Sequence, residues 1–434
     1  MKKVIRKLVD EMPIPFLKRY NIFSGSNYWS EWQAILADYI TNKFDYFDED
    51  IISEYERTFA EKVGVRHAFG FSAGRMGLYS ILEALGIGPG DEIIIPAFTC
   101  VVVPNAILYR GAKPVYVDVD PKTFNIDVSS VEKAITSKTR GLYAQHTFGL
   151  VCDVGGLMAL GAKHNLTVIE DGAHALGASW EGSPVGSLTD VAFFSTDHTK
   201  VINTLYGGMV TTNNDGLAEK IKIIHDRSSF LSKRQLKKMC RTFLFEFPLF
   251  RPSLYWFGWF LYRVAYKLGF IFRFDDELKT SKPDDYPYPA KLSAFQAKLG
   301  LSQLQKLDQN LKHRRRLGLE LEKRFNWLGE ALSRDNSNHS YLRYSFLVED
   351  RKKFIDHFRL DVELGIWFES IAHGRKSKFD EIGYQVGSCP TAEKVVRHIV
   401  NFPTHESIDI EFLLGKLDKY SEKICGNLKF NGKP

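Results

Sequence analysis

From Ile51 to about Asp215 the chain alternates short, unbroken apolar runs with segments of helical periodicity. The runs EIIIPAF (92–98), KPVYVDV (113–119), TRGLYAQHTFG (139–149), LTVIED (166–171) and DVAFFS (190–195) are rich in Val, Ile and Phe. Continuous apolar runs of this length predict strands buried on both faces. Between them, LYSILEALG (78–86), SSVEKAIT (129–136) and VGGLMALGAKHN (154–165) predict helices. Strands alternating with helices give an α/β architecture, a mostly parallel sheet covered on both sides. Ligands of such sheets bind beyond the carboxyl ends of the strands.

Downstream the rhythm changes. Residues 228–285 form a basic and aromatic stretch, and the region from about Ala290 to Phe325 has apolar positions at helical spacing. From about Leu328 the pattern predicts a smaller α+β unit, with a strand at 341–349, a helix near 352–359 and a terminal helix near 410–424. These shifts divide the chain into a large domain over 1–325, carrying an N-terminal segment (1–50) and the 228–285 insertion, and a small domain over 326–434.

Composition narrows the options. At 44% hydrophobic and 25% charged residues, the chain has the make-up of a globular protein. The 58 basic and 52 acidic side chains leave a formal charge of +6, too mild over 434 residues to imply nucleic acid. The five cysteines (Cys100, Cys152, Cys240, Cys389, Cys425) include no CxxC pair, so neither a disulfide framework nor a metal site is predicted. A reduced, cytoplasmic compartment is the simplest fit. The basic start MKKVIRKLVDEMPIPF lacks the apolar core of a secretory signal, and no run is apolar enough to span a membrane.

The strand ends carry the chemistry. FGFSAG (69–74) leads into a helix starting near Arg75, a turn able to present backbone N–H groups to an anion or simply a tight glycine turn. LTVIED ends in Asp171, followed by Gly172, Ala173 and His174; taken alone, Asp171 reads as a helix cap. DVAFFS ends in Ser195, and Lys200 follows in STDHTK; alone, these read as a cap and a surface charge. Together they meet the needs of pyridoxal phosphate. A lysine amine joins the cofactor aldehyde as a Schiff base, a carboxylate keeps the pyridine nitrogen protonated, and a hydroxyl with helix N–H groups holds the phosphate.

Residues 63–215 resemble the DegT/DnrJ/StrS-type family of pyridoxal-phosphate-dependent sugar aminotransferases. The matching segments are ALGIGPGDEIIIPAFT, GAKPVYVDVDPKTFNID, VIEDGAHALGA, and FFSTDHTK followed by GGMVTTN. Weaker matches are LSAFQAKLGLSQLQKLD (292–308) and GSCPTAEKVVRHIVNFPTH (387–405). The resemblance implies aminotransferase fold type I, with a sheet of the seven-stranded type and a homodimer that completes its active sites across the interface. It implies Lys200 as the Schiff-base lysine, Asp171 as the partner of the pyridinium nitrogen, and His174 beside the cofactor's 3-hydroxyl. Ser195 and the N–H groups of Gly74 and Arg75 would bind the phosphate. Where the family often has an aromatic residue stacked on the cofactor, this chain has Cys100. Arg75 replaces a usual Thr, Pro289 a usual Asn and Lys291 a usual Arg.

The implied reaction moves an amino group from an amino acid, glutamate, to a nucleotide-linked keto-sugar for surface polysaccharide or lipopolysaccharide. Three alternatives stand beside it, the first being amination of a lipid-linked sugar. Family members with His in place of Lys200 act as dehydratases, and a regulatory or scaffold protein would tolerate changes in the pocket.

The insertion suggests a further partner. Between Lys233 and Arg273 there are nine basic residues and one acidic residue, Glu246. A helix over 254–272 would gather Leu254, Phe257, Leu261, Val264, Ala265, Leu268 and Phe272 on one face, with Arg263 and Lys267 on another. That pattern over 233–274 suits peripheral contact with an anionic membrane, against the alternative of packing within the dimer.

Overall fold

In a computed structural model, the described residues are 18–23, 26–42, 44–274, 279, 281–332 and 337–424. Cys425 and the basic start of the chain lie outside them. The five predicted strands of the large domain form as β2 (Glu92–Pro96), β3 (Lys113–Val117), β4 (Thr139–Gln145), β5 (Thr167–Asp171) and β6 (Val191–Ser195), joined by β1 (His67–Phe71) and β7 (Gly208–Thr212). Two short edge pieces, β8 (Ser229–Phe230) and β9 (Ala290–Lys291), extend the sheet to the order β8-β9-β1-β7-β6-β5-β4-β2-β3. β2 through β6 pair in parallel, whereas β7 runs antiparallel to both β1 and β6.

Alternate residues of each strand enter different cores, which is why the runs are apolar throughout. Ile93, Ile95, Tyr143 and Ile169 pack with the helices Gly74–Ala84, Val102–Tyr109 and Asp215–Arg227. Ile94, Leu142, Ala144 and Val168 pack on the opposite face with the helix Val154–His164. The tail holds an antiparallel pair, Arg343–Leu347 with Ile399–Pro403. Its core of Tyr344, Phe346, Phe354 and Phe402 also takes in Leu317 and Leu321 from the helix Leu307–Phe325, and Tyr20 from the N-terminal segment.

Two expected elements differ in extent. The 290–325 region begins with β9 and then divides into the helices Ala294–Gln305 and Leu307–Phe325. Its first helix starts at Ser293, whose side chain and that of Gln296 form a capping box. In the insertion, the helix Lys233–Leu249 buries Leu236, Met239, Cys240 and Phe243 in the large core. The second helix spans Tyr255–Lys267 rather than 254–272. It stops because Gly269 adopts a left-handed φ of 71°, with Phe270 N–H donating back to Ala265 O at 2.8 Å. Phe272 therefore leaves the predicted face and is buried, its N–H donating to Thr242 Oγ1. Among the described residues, no helix is long and apolar enough to cross a membrane, and Cys100, Cys152, Cys240 and Cys389 form no disulfide.

The sheet register gathers one end of several strands. Asp171 closes β5 opposite Phe193 of β6, and Gly208 opens β7 opposite both Ser195 and Phe71. A Cβ on Gly208 would lie 2.5 Å from Gly74 Cα and N, so only glycine lets β7 pass so near the start of the helix Gly74–Ala84. Backbone on backbone has no flexible end to yield. We expect Gly208→Ala to lower unfolding free energy by about 1–3 kcal/mol. Gly216→Ala, whose Cβ would find nothing nearer than 3.5 Å, should be neutral or stabilising in the same denaturant titration. Equal effects at both sites would contradict the close-approach account.

Candidate active site

Asp171 is 7% exposed and is fixed by two hydrogen bonds: Tyr143 Oη–H donates to Oδ2 at 2.6 Å and Ala173 N–H to Oδ1 at 2.9 Å. Burial raises its pKa, against the lowering effect of Tyr143, the Ala173 N–H and Lys200. No cationic side chain forms an ion pair with it among the described residues, so its charge is available to a bound group. The bond from Ala173, two residues on, is the local turn that the capping alternative foresaw; the bond from Tyr143, across the sheet, is not.

Lys200 follows β6 on a loop that folds back on itself. Thr196 N–H donates to Gly207 O, Thr204 N–H to Thr196 O and His198 N–H to Leu205 O, all at 2.9–3.0 Å. Asp197 Oδ1 accepts from the N–H and hydroxyl of Thr199, and Asn310 Nδ2 donates to Val201 O from the helix Leu307–Phe325. Lys200 is half-buried, with Nζ 5.1 Å from the centre of the Trp367 ring. Desolvation lowers its pKa, while Asp197, Cys100 and Asp171 pull the other way.

The anion-binding turn also forms. Gly74 begins the helix, and a Cβ there would meet Phe194 O and Ser195 Cβ at 3.0 Å. Ser195 thus lies beside the helix N-terminus, where unpaired N–H groups favour a phosphate. The Arg75 guanidinium lies 5.8 Å from the Phe274 ring, a contact with the insertion.

His174 is buried, with Nδ1 accepting from Phe148 N–H at 3.3 Å. This leaves Nε2 to carry the proton as a donor. Burial, then the charges of Lys200 and Arg343, hold its pKa well below the usual range, so the ring is neutral. Cys100 belongs to a short ladder, Thr99–Cys100 with Ala372–His373, that joins the large core to the tail. Its Sγ lies 3.9 Å from His373 O, and the His373 ring is 5.4 Å from the Trp367 ring that Lys200 faces. The other two histidines of these loops take structural places: His146 lies 3.1 Å from Glu170 in the core, and His198 lies against Glu246 and Phe23.

The structure therefore brings Asp171, His174, Lys200, Cys100 and the Gly74–Ser195 turn to one end of the sheet. Three neighbours were missed by sequence reasoning. Tyr143 had a faint signal, a hydroxyl-bearing residue in an aliphatic strand. Arg343 interrupts the apolar run at the start of a tail strand. Trp367 had none, because only the tertiary fold returns it to Lys200. A buried carboxylate without a cation, a lysine amine and a glycine-bounded anion cradle together fit pyridoxal phosphate.

Comparison with known proteins agrees with that fit. The model of the DegT/DnrJ/EryC1/StrS aminotransferase family matches residues 46–413. The chain is 31% identical to GDP-perosamine synthase of Caulobacter vibrioides over 85% of its own length and 89% of the relative's. It is 27% identical to the spore coat polysaccharide biosynthesis protein SpsC of Bacillus subtilis, covering 82% and 85%. Among solved structures, an aminotransferase from Psychrobacter cryohalolentis superposes with a TM-score of 0.71 at 23% identity, covering 93% and 99% of the two chains. The chain belongs to the DegT/DnrJ/EryC1/StrS aminotransferase family and is a pyridoxal-phosphate-dependent aminotransferase.

Proposed function

We propose that this enzyme transfers an amino group from glutamate to a nucleotide-linked keto-sugar, as a homodimer, in the building of a surface polysaccharide. The observation that carries the reading is the pairing of a desolvated lysine amine with a buried, cation-free carboxylate at neighbouring strand ends. The names of the relatives supply the substrate class: GDP-perosamine synthase over most of the chain, and a UDP-linked 3-aminotransferase of Acidithiobacillus ferrooxidans at 42% identity over 38% of it. Lysine rather than histidine at position 200 disfavours the dehydratase alternative, and intact Asp171, Ser195 and Lys200 disfavour a scaffold.

Each residue then has a role. Bound pyridoxal phosphate supplies an electron sink for the pair left when a proton departs the carbon beside the transferred nitrogen. Asp171 stabilises the protonated ring nitrogen, and Tyr143 and Ala173 keep its oxygens aimed. Ser195 Oγ and the N–H groups of Gly74 and Arg75 bind the phosphate, and His174 Nε2–H donates to the 3-oxygen. Lys200 Nζ would anchor the cofactor and, as a free amine, would take the proton from the carbon beside the donor nitrogen and hold it for return. With a keto-sugar present the same amine moves the proton in reverse.

The finer placement of the enzyme follows from the insertion. Leu254, Phe257, Phe260, Val264 and Leu268 are 40–69% exposed along or just beside the helix Tyr255–Lys267, an unusual density of apolar surface. Lys267 and Arg273 are exposed nearby, and the stretch's one acid, Glu246, is buried. We assign this face to an anionic membrane surface, with the cations adding about 1 kcal/mol each near the leaflet.

Three tests follow. Borohydride treatment should fix the cofactor to the peptide holding Lys200, and Lys200→Ala should lower turnover by about 10²–10⁴-fold. Asp171→Asn should retain cofactor yet lose at least about two orders of magnitude in rate, roughly 2.7 kcal/mol of barrier. Full turnover in either variant contradicts the assignment. For pH, the lowered lysine means the neutral, nucleophilic amine appears earlier as pH rises. Uptake of pyridoxal phosphate by apo-protein should therefore rise through a midpoint below the 10.5 of an ordinary lysine, and a midpoint at or above it would count against the desolvated site. For the membrane, sedimentation with anionic but not neutral vesicles, weakened by salt and by Phe257→Glu with Phe260→Glu, is expected. No sedimentation in any condition would return the helix to protein packing.

A further inference from the structure

The main chain of Trp367 is held on both sides by one buried side chain. Asn401, in the tail strand Ile399–Pro403, accepts from Trp367 N–H through Oδ1 at 2.6 Å. Its Nδ2 donates to Trp367 O at 3.1 Å. Two residues earlier, Gly365 exchanges a pair of 2.9 Å backbone bonds with Asn401. Trp367 is thus placed by an irregular segment docked on a strand, not by a free loop. Phe368 beside it is buried, whereas Trp367 is only half-buried. An indole fixed at its backbone and open on part of its ring offers apolar surface for another flat group to cover.

The neighbours of the ring indicate what that group is. Lys200 Nζ lies over it, 5.1 Å from its centre, and among the described residues no other ring lies over that nitrogen. The Arg343 guanidinium packs on the ring with Cζ 4.2 Å from its centre. The His174 ring is inclined to the indole by only 17°, with centres 5.8 Å apart. Lys200 and His174 both belong to the pyridoxal phosphate set. On the large-domain side, the ladder of Thr99–Cys100 with Ala372–His373 brings up Cys100, half-buried and without a ring. The large domain presents a thiol here, and the tail presents the aromatic surface.

We propose that Trp367 is the stacking platform for pyridoxal phosphate: its indole lies against the cofactor's pyridine ring, a contact supplied by the tail where the large domain has only Cys100. This rests on the reading of Lys200 as the amine that joins the cofactor. A pyridine joined there is one carbon away from Nζ. With Nζ 5.1 Å from the indole centre, the two rings come within the centre separation of about 4.5–7 Å at which aromatic pairs attract. The electron-poor, protonated ring that Asp171 sustains is the kind that the negative face of an indole attracts. A keto-sugar is the other group able to use this face, through its C–H bonds. The closeness to Lys200 favours the cofactor, which occupies that place before any sugar enters.

The test uses apo-protein and pyridoxamine phosphate, whose amine cannot bond to Lys200, so that affinity reports ring and phosphate contacts alone. Calorimetric titration of Trp367→Ala should show binding about 10–100-fold weaker than wild type, and Trp367→Phe should stay within about 3-fold of it. Adding Cys100→Phe to Trp367→Ala puts a ring into the vacated space and should recover most of the loss. Inorganic phosphate, which uses the cradle without a ring, should compete equally in all these proteins. Equal affinity of wild type and Trp367→Ala for pyridoxamine phosphate overturns the proposal. Unchanged cofactor affinity with a raised keto-sugar KM in the reloaded Trp367→Ala enzyme also overturns it, and transfers the indole to the sugar. Borohydride labelling keeps the two readings apart. A wild type that takes no label at Lys200 sinks the lysine assignment, whereas a labelled wild type with an unaffected Trp367→Ala protein sinks the platform alone. If Trp367→Ala fails to fold, Trp367→Leu keeps apolar volume without a ring, and wild-type affinity in that protein refutes the stacking.

Discussion

A carboxylate held away from water at the end of a central strand is the constraint around which this site is arranged. Asp171 receives one hydrogen bond from its own turn and one from Tyr143 on the neighbouring strand. Those bonds fix its oxygens, but a buried anion is still poorly stabilised without a positive partner. A protonated pyridine nitrogen is such a partner, and it is also what lets the cofactor accept electron density. On the proposed reading, cofactor binding offsets the cost of burying the carboxylate. The same desolvation lowers the pKa of Lys200, making its amine a better nucleophile near neutral pH. The same burial leaves the carboxylate in want of a cation and the amine readier to lose its proton.

The sheet supplies the geometry. Parallel pairing aligns the ends of β5 and β6, which sets Asp171 and Ser195 at one edge. Antiparallel β7 then returns Gly208 to Ser195 and within reach of Gly74, closing the phosphate cradle with backbone rather than side chains. The Lys200 loop lies between β6 and β7 and is zipped by its own backbone bonds, so its position is inherited from those strands. Trp367 and Arg343 come from the tail, so the second wall of the site depends on how the tail packs. The ladder between Thr99–Cys100 and Ala372–His373 helps to fix that packing.

Much of this was legible in the sequence where one physical signal dominated. Ile93, Ile94 and Ile95 are buried in succession, and a run that enters two cores can be nothing but apolar. Asp171 and Ser195 were readable because each closes such a run, and Lys200 because it lies in the turn five residues beyond one. Tyr143, Trp367 and Arg343 were harder because their roles arise from contacts 28 to 167 residues apart along the chain, from Tyr143–Asp171 to Lys200–Trp367. The insertion was read correctly as aromatic and helical but too long. The periodicity continues past Lys267, and only the left-handed Gly269 ends the helix and turns Phe272 inward.

The central claim is that one lysine and one carboxylate carry nitrogen from an amino acid to a sugar. Its most direct test follows the nitrogen itself. The purified enzyme, loaded with pyridoxal phosphate, is given glutamate labelled with heavy nitrogen and a panel of nucleotide-linked keto-sugars, and the products are weighed by mass spectrometry. The account predicts an amino-sugar carrying the heavy nitrogen and an equal amount of 2-oxoglutarate. A sugar that has lost water without gaining the label, or no change in any sugar while cofactor remains bound at Lys200, would contradict it.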